Sequence, residues 1–226
     1  MDNRLPAPNQ NDFRDYNLGF RVWSVLPAAG ATALAFGAYK DNLMARKKKK
    51  TPSWIDVKRN IKGFNRDQLL TIIGDLYRLS ENNKEFFHTR FSLSEDPLES
   101  YKRIIQDSVH PYLEGNEVLD IGSAEDAIKR YSKAIDDVKG ETELMVFFVE
   151  CGNNFTLSYG YIDDDFHDSM LLMYEKAIQN VTVLSPIEQK VYKERLHDIM
   201  DTASGIGWGY HDGLCELYYE SFPDDH

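Results

Sequence analysis

Three histidines are each followed directly by an aspartate, a combination of side chains that could hold a divalent metal ion. The pairs are His167-Asp168, His197-Asp198 and His211-Asp212. Imidazole and carboxylate groups are common metal ligands, and a bound metal ion can activate water for attack on a phosphate ester. Neighbouring residues on a helix diverge by about 100°, so these pairs would have to converge from separate helices. A metal-dependent phosphohydrolase is therefore our alternative hypothesis, with these six residues as the pool of ligands.

An acidic stretch, Asp163-Asp164-Asp165-Phe166-His167-Asp168, lies between two predicted helices. Its carboxylates could bind a cation, but it lacks the glycine and the distal glutamate of a calcium-binding EF-hand loop. Aspartates at a helix N-terminus accept hydrogen bonds from free backbone N–H groups and interact favourably with the helix dipole. We therefore interpret this stretch as a helix cap.

Polar residues also interrupt the most apolar helix of the chain. Glu150 and Asn154 are four residues apart, so they share one face of that helix. The turn that follows could bring Tyr159, Asp163 and His167 to the same end. These five residues are our candidate polar cleft, in which the polar groups either satisfy one another or line a binding site. We predict no catalytic residue and no cofactor there.

The remaining motifs indicate no particular chemistry. Gly205-Ile206-Gly207-Trp208-Gly209 is not followed by the lysine and hydroxyl residue of a phosphate-binding loop, so we interpret it as a hinge or tight corner. The two cysteines, Cys151 and Cys215, fit neither a metal site nor a redox motif. Cys151 lies in an apolar run, which predicts a buried free thiol and a reducing compartment.

The segment 123–178 must position these candidates, and it reads as three consecutive helices. We expect Ser123 to cap the first helix and Gly140 to end it. Leu144–Val149 is apolar on every side, which predicts a central helix that is buried all round. Asp163 is expected to cap the third helix.

Further helices are predicted before and after this segment, and each has an apolar stripe with helical spacing. Asn65 caps one of them, and its stripe runs from Leu69 to Tyr77. Ser185-Pro186 opens another in the usual position for proline. The sequence therefore predicts an all-α fold of about eight helices, packed as antiparallel pairs in a bundle or a short solenoid-like array.

Charge divides the 226-residue chain unevenly. Residues 1–43 are neutral overall, residues 44–66 carry nine basic groups against one acidic group, and residues 67–226 carry 13 basic against 32 acidic groups. We predict a basic collar and first helix over 44–64 and an acidic helical domain over 65–222. An acidic body repels nucleic acid, so we expect contact with nucleic acid only through Lys47–Lys50.

The first 43 residues contain an apolar run, Trp23–Ala38, for which three interpretations stay open. It could be a secretory signal, although as many acidic as basic groups precede it. It could be a short membrane anchor, although about 20 residues are needed to cross a bilayer. We favour the third interpretation, in which residues 1–43 are disordered or lie outside the working protein, whose natural start is Met44-Ala45-Arg46.

From residue 44 to about residue 180 the chain resembles an uncharacterised family of small, all-helical bacterial proteins. The residues that carry the resemblance are Leu69-Leu70, Leu76-Tyr77, Ser80, Glu81, Asn83, Phe86, Arg90, Phe91, Ala127, Tyr131, Leu144-Met145, Val149-Glu150, Gly152, Phe155, Tyr159-Gly160, Asp163, Phe166 and Met173 to Ala177. The resemblance implies a cytoplasmic helical domain and carries over no activity.

Our leading hypothesis is a protein-interaction module that is not an enzyme. The sequence indicates a buried helical core with polar faces that show no specialised chemistry. We therefore expect a protein partner in the cytoplasm, and membrane contact only through Trp23–Ala38.

Overall fold

The structure is a computed structural model that describes residues 51–113, 118–160, 162–207 and 209–223. Throughout these ranges the protein is all-α, as predicted, and they contain no β-strand. Nine α-helices follow one another along the described chain: α1 Trp54–Ile61, α2 Arg66–Leu79, α3 Glu81–Arg90, α4 Glu99–Val109, α5 Ile121–Ala134, α6 Val138–Tyr159, α7 Asp164–Val181, α8 Pro186–Thr202 and α9 Tyr210–Ser221. A short 3₁₀ turn, Ala203–Gly205, follows α8.

The chain divides into two compact units, Met1–Lys62 and Gly63–His226. In the first unit the described part contains only α1, whose N-cap Ser53 and Asp56 form a capping box. The second unit holds α2 to α9. The predicted extension over residues 1–43, its apolar run Trp23–Ala38 and the basic run Lys47–Lys50 lie outside the described residues. Among the helices that the structure does describe, none has the length and apolar character to cross a membrane.

The 22-residue helix α6 is the centre of the second unit, and it packs against α4, α5, α7 and α8. Its segment Leu144–Val149 is buried except for Phe147, which is partly exposed, so the prediction of a central buried helix is confirmed. Fully buried Tyr101, Tyr131 and Tyr174 belong to the same core. The core is therefore formed by aliphatic side chains and large aromatic rings together.

Two predicted boundaries around α5 are wrong. The helix is capped by Asp120, whose carboxylate accepts hydrogen bonds from both the N–H and the hydroxyl of Ser123. It ends at Ala134, and Asp137 then caps α6 by accepting a hydrogen bond from the N–H of Gly140. Gly140 therefore lies in the first turn of α6 and does not end α5. A side chain at this position would clash, because an added Cβ would overlap the hydroxyl of Tyr131.

The other capping predictions are confirmed. Asn65 forms a capping box with Gln68 at the start of α2. The carboxylate of Asp163 accepts a 2.8 Å hydrogen bond from the N–H of Phe166 at the start of α7. Ser185 and Glu188 form a capping box at the start of α8, with Pro186 in the first turn.

Candidate functional site

The helix α2 does not bury its apolar face. We call Leu69, Ile72, Ile73 and Leu76 the α2 stripe, because their spacing places them within about 100° of one another around the helix. These four side chains are between 36% and 46% exposed, and no residue of α2 is buried. The stripe is therefore only half covered, because α2 is supported mainly by a single neighbour, α3.

Contacts at the end of α2 hold it on α3. The hydroxyl of Tyr77 lies 3.0 Å from Nε2 of His88, and the amide of Asn83 donates a 2.6 Å hydrogen bond to the carbonyl of Leu76. These contacts involve the side of α2 that faces α3. Beside these contacts the α2 stripe keeps much of its apolar area exposed.

The helix α3 is in turn fastened to the body of the protein. Thr89 and Tyr101 share a buried 2.9 Å hydrogen bond between their hydroxyls. Arg130 on α5 lies 3.2 Å from the carboxylate of Glu85. These contacts link α3 to α4 and α5. The helix α2 is therefore attached to the rest of its unit through α3.

The candidate polar cleft is divided between different parts of the fold. Glu150 faces α8, where its carboxylate accepts two 2.8 Å hydrogen bonds from the guanidinium of Arg195. Arg195 also donates a short hydrogen bond to Glu143, whose other oxygen lies 2.7 Å from the ammonium of Lys102. Two carboxylates and two cations therefore form a charge-balanced cluster that links α4, α6 and α8.

The electrostatics of this cluster favour its charged form. Burial alone would raise the pKa of Glu143, but the hydrogen bonds and charges of Lys102 and Arg195 bring that pKa below its ordinary value. Burial lowers the pKa of Arg195, but bonds to the two carboxylates raise it overall, so this guanidinium stays charged. A cluster whose charges satisfy one another is a structural clamp between helices.

The other four residues of the predicted cleft lie elsewhere. Asn154 and Tyr159 are exposed, and Tyr159 packs its ring on Phe155. Asp163 is the cap of α7. His167 is buried, with Nδ1 at 2.9 Å from the carbonyl of Asp163 and Nε2 at 3.4 Å from the hydroxyl of Thr156. Asp163 and His167 are therefore neighbours, whereas Glu150 is bound to α8.

The three His-Asp pairs have separate local partners. His167 packs against Tyr210, His197 lies 3.3 Å from Asp201, and His211 lies 3.5 Å from the sulfur of Cys215. The paired aspartates, Asp168, Asp198 and Asp212, are all exposed. Among the described residues, no group of three or more His, Cys, Asp or Glu side chains is placed to hold a metal ion. The phosphohydrolase hypothesis stays a prediction without support from this geometry.

Sequence reasoning missed two features. The sequence gives a partial indication of the clamp: Glu143 and Glu150 are seven residues apart on an apolar helix, and buried carboxylates need a cation. Arg195 itself had no signal that singled it out. The exposure of the α2 stripe had none either, because an apolar stripe looks the same whether it faces the core or a partner.

Comparisons of this chain with protein-family models, with curated proteins and with solved structures find no match.

Proposed function

We propose that this protein is an interaction module that binds another polypeptide chain through the α2 stripe. The observation that carries the proposal is that α2 has no buried residue although its apolar side chains are spaced for a helix interface. Amphipathic helices bind partners through anchors at this spacing. We place the module in the cytoplasm, because Cys151 and Cys215 are both free thiols.

The exposed apolar surface extends beyond the stripe. On α2 itself Leu70 and Leu79 are also exposed, and so are Phe86 on α3 and Phe91 directly after α3. Groups of exposed apolar side chains on one helix face mark interaction sites on soluble proteins, whereas single exposed apolar residues are ordinary. The arrangement therefore favours a binding face over a random scatter of surface residues.

The charges near the stripe also support a polypeptide partner. Asp75 and Arg78 on α2 neutralise each other through a 2.6 Å ion pair. The acidic character of the protein is therefore not concentrated on this helix. Charged residues are depleted from the cores of protein interfaces, where apolar and aromatic residues are enriched.

A photo-crosslinking amino acid placed at Ile73 tests the proposal in living cells. We expect irradiation to produce a covalent adduct of this protein with another polypeptide chain. Leu172 on α7 is the matched control, because its side chain is exposed to a similar extent. We expect no adduct at that position.

The same experiment includes a second variant. With the crosslinker at Leu76, the substitution Ile73→Asp should remove the adduct, because it places a charge in the centre of the stripe. Burying the rest of Ile73 against a partner is worth about 1 kcal/mol, and the charge adds a desolvation cost. Adducts of equal yield at Ile73 and Leu172, or none at either position, would refute the proposal.

A further inference from the structure

A groove between α5 and α7 differs in chemistry from the rest of the acidic domain. Its cavity volume is about 350 Å³. The floor is formed by Ile128, Met145 and Met173, which are almost completely buried. Both α5 and α7 pack against α6, and α6 contributes Met145 to the floor. Methionine side chains at the bottom of a groove can adjust to the shape of a ligand, because they are flexible and polarisable.

Three lysines surround this floor in a part of the chain that has few basic residues. Lys129 and Lys133 are on α5, and Lys176 is on α7. Residues 67–226 carry only 13 basic groups in total. A rim of three lysines around an apolar floor is therefore a distinct local environment.

The carboxylates of the groove already have partners. Lys129 lies 3.1 Å from Glu125, and Glu141 accepts a short hydrogen bond from the hydroxyl of Ser132. The ammonium groups of Lys133 and Lys176 form no ion pair with any residue that the structure describes. A hydroxyl does not neutralise Glu141, so Lys133 and Lys176 together exceed the unpaired carboxylates of the groove by one positive charge.

We propose that this groove binds an anionic amphiphile, an alkyl chain with a carboxylate head that lies between Lys133 and Lys176. The chain would cover Ile128, Met145 and Met173, and the two ammonium groups would bind the head. This proposal is independent of the function proposed for the α2 stripe. It concerns a different surface and a different class of ligand.

The dimensions of the groove suit one alkyl chain. Its α5 wall runs from Glu125 to Lys133, roughly 12 Å at 1.5 Å per residue. An extended alkyl chain of about ten carbons has a similar length, whereas an amphipathic helix would cover the groove with one face and extend beyond it. The groove offers about 350 Å³, within the range of small-ligand pockets.

Methionine-methyl NMR of the full chain, titrated with sodium decanoate below its micelle concentration, tests the proposal. We expect the methyl signals of Met145 and Met173 to shift and that of Met200, a buried residue of α8, to stay in place. Uncharged decanol should bind at least tenfold more weakly. Octanoate should bind more weakly than decanoate, by up to about fourfold for each CH₂ group removed.

Substitutions separate the role of the two lysines from general charge. Lys133→Glu combined with Lys176→Glu should weaken decanoate binding at least tenfold, and the corresponding glutamine variant should have an intermediate effect. Lys190→Glu on α8 is the control, because Lys190 is exposed and lies outside the groove. It should leave the affinity unchanged.

Several outcomes would overturn the proposal. They are unshifted Met145 and Met173 signals, equal affinity for decanol and decanoate, and unchanged affinity in the double glutamate variant. Tighter binding of a designed acidic amphipathic helix than of decanoate would also overturn it, and would assign the groove to a peptide.

Discussion

Replacing Arg195 with methionine should destabilise the protein by breaking the clamp between α6 and α8. Methionine keeps the unbranched apolar stem and removes the guanidinium, which donates three hydrogen bonds to Glu143 and Glu150. Glu143 would retain Lys102, but Glu150 would lose the only cation that the described residues provide for it. The unpaired charge of Glu150 is therefore the main cost.

The size of the effect follows from the partial burial of the clamp. Removing one partner of a fully buried ion pair costs about 3–5 kcal/mol, whereas exposed pairs contribute about 0–1 kcal/mol. The side chains of Arg195 and Glu150 are 26% and 29% exposed, so solvent screens part of the charge. We expect Arg195→Met to lower the free energy of unfolding by about 2 kcal/mol.

Urea unfolding at pH 7 measures this change, and a double-mutant cycle assigns it. Glu150→Met removes the carboxylate that Arg195→Met leaves unpaired, so the double variant should lose about 1 kcal/mol less than the two single losses added together. Additive losses would refute the reasoning. So would a change below about 0.5 kcal/mol for Arg195→Met, because surface substitutions cause changes of that size.

The pH dependence gives a second check on the same clamp. The folded-state pKa of Glu143 lies below its ordinary value of 4.5. A carboxylate of this kind contributes stability above its unfolded pKa and loses that contribution as pH falls through the folded value. Arg195 is one of the two cations that lower this pKa, so the part of the stability difference between the wild type and Arg195→Met that comes from Glu143 should shrink below pH 4.5. A difference that stays constant as pH falls would contradict the assignment of the effect to charge.

Two further predictions concern packing and thiol reactivity. Gly152→Ala should lower the free energy of unfolding, measured in urea, by about 1–2 kcal/mol. The new Cβ would overlap the sulfur of the buried Met170, and the gain in helix propensity offsets only part of this strain. Gly63→Ala is the control, because its Cβ meets open space and the free energy of unfolding should hardly change. Burial raises the pKa of the Cys151 thiol to about 12, so at pH 8 a disulfide reagent should modify Cys215 alone in the native protein, and both thiols only after unfolding. Equal stability of the two glycine variants, or modification of native Cys151, would contradict these expectations.

Much of the fold could be predicted from local patterns. Apolar stripes with helical spacing locate the helices. Asn65 and Asp163 mark helix starts because their side chains accept hydrogen bonds from the first turn, and Ser185 marks another by donating to the carboxylate of Glu188. The prediction was wrong around Gly140, which has a packing role against Tyr131 and not a terminating role. Such a role depends on a contact with the preceding helix, which the local pattern of residues does not show.

The candidate site was harder to predict than the fold. The sequence shows that Glu150 is a polar residue on an apolar helix and so needs a partner. It does not show which partner, because Arg195 is 45 residues further along the chain. Whether the α2 stripe faces the core or solvent depends on which helices pack beside it. Neither property is encoded in the local pattern of residues.

The central claim is that the α2 stripe binds another chain, and the native mass of the protein taken from its own cells tests it most directly. The polypeptide has a mass of 26.1 kDa. We predict that the wild-type protein is found in an assembly of larger mass and that Ile73→Asp releases a folded chain of the monomer mass. A wild-type protein with the monomer mass, or an assembly that Ile73→Asp leaves intact, would contradict the account.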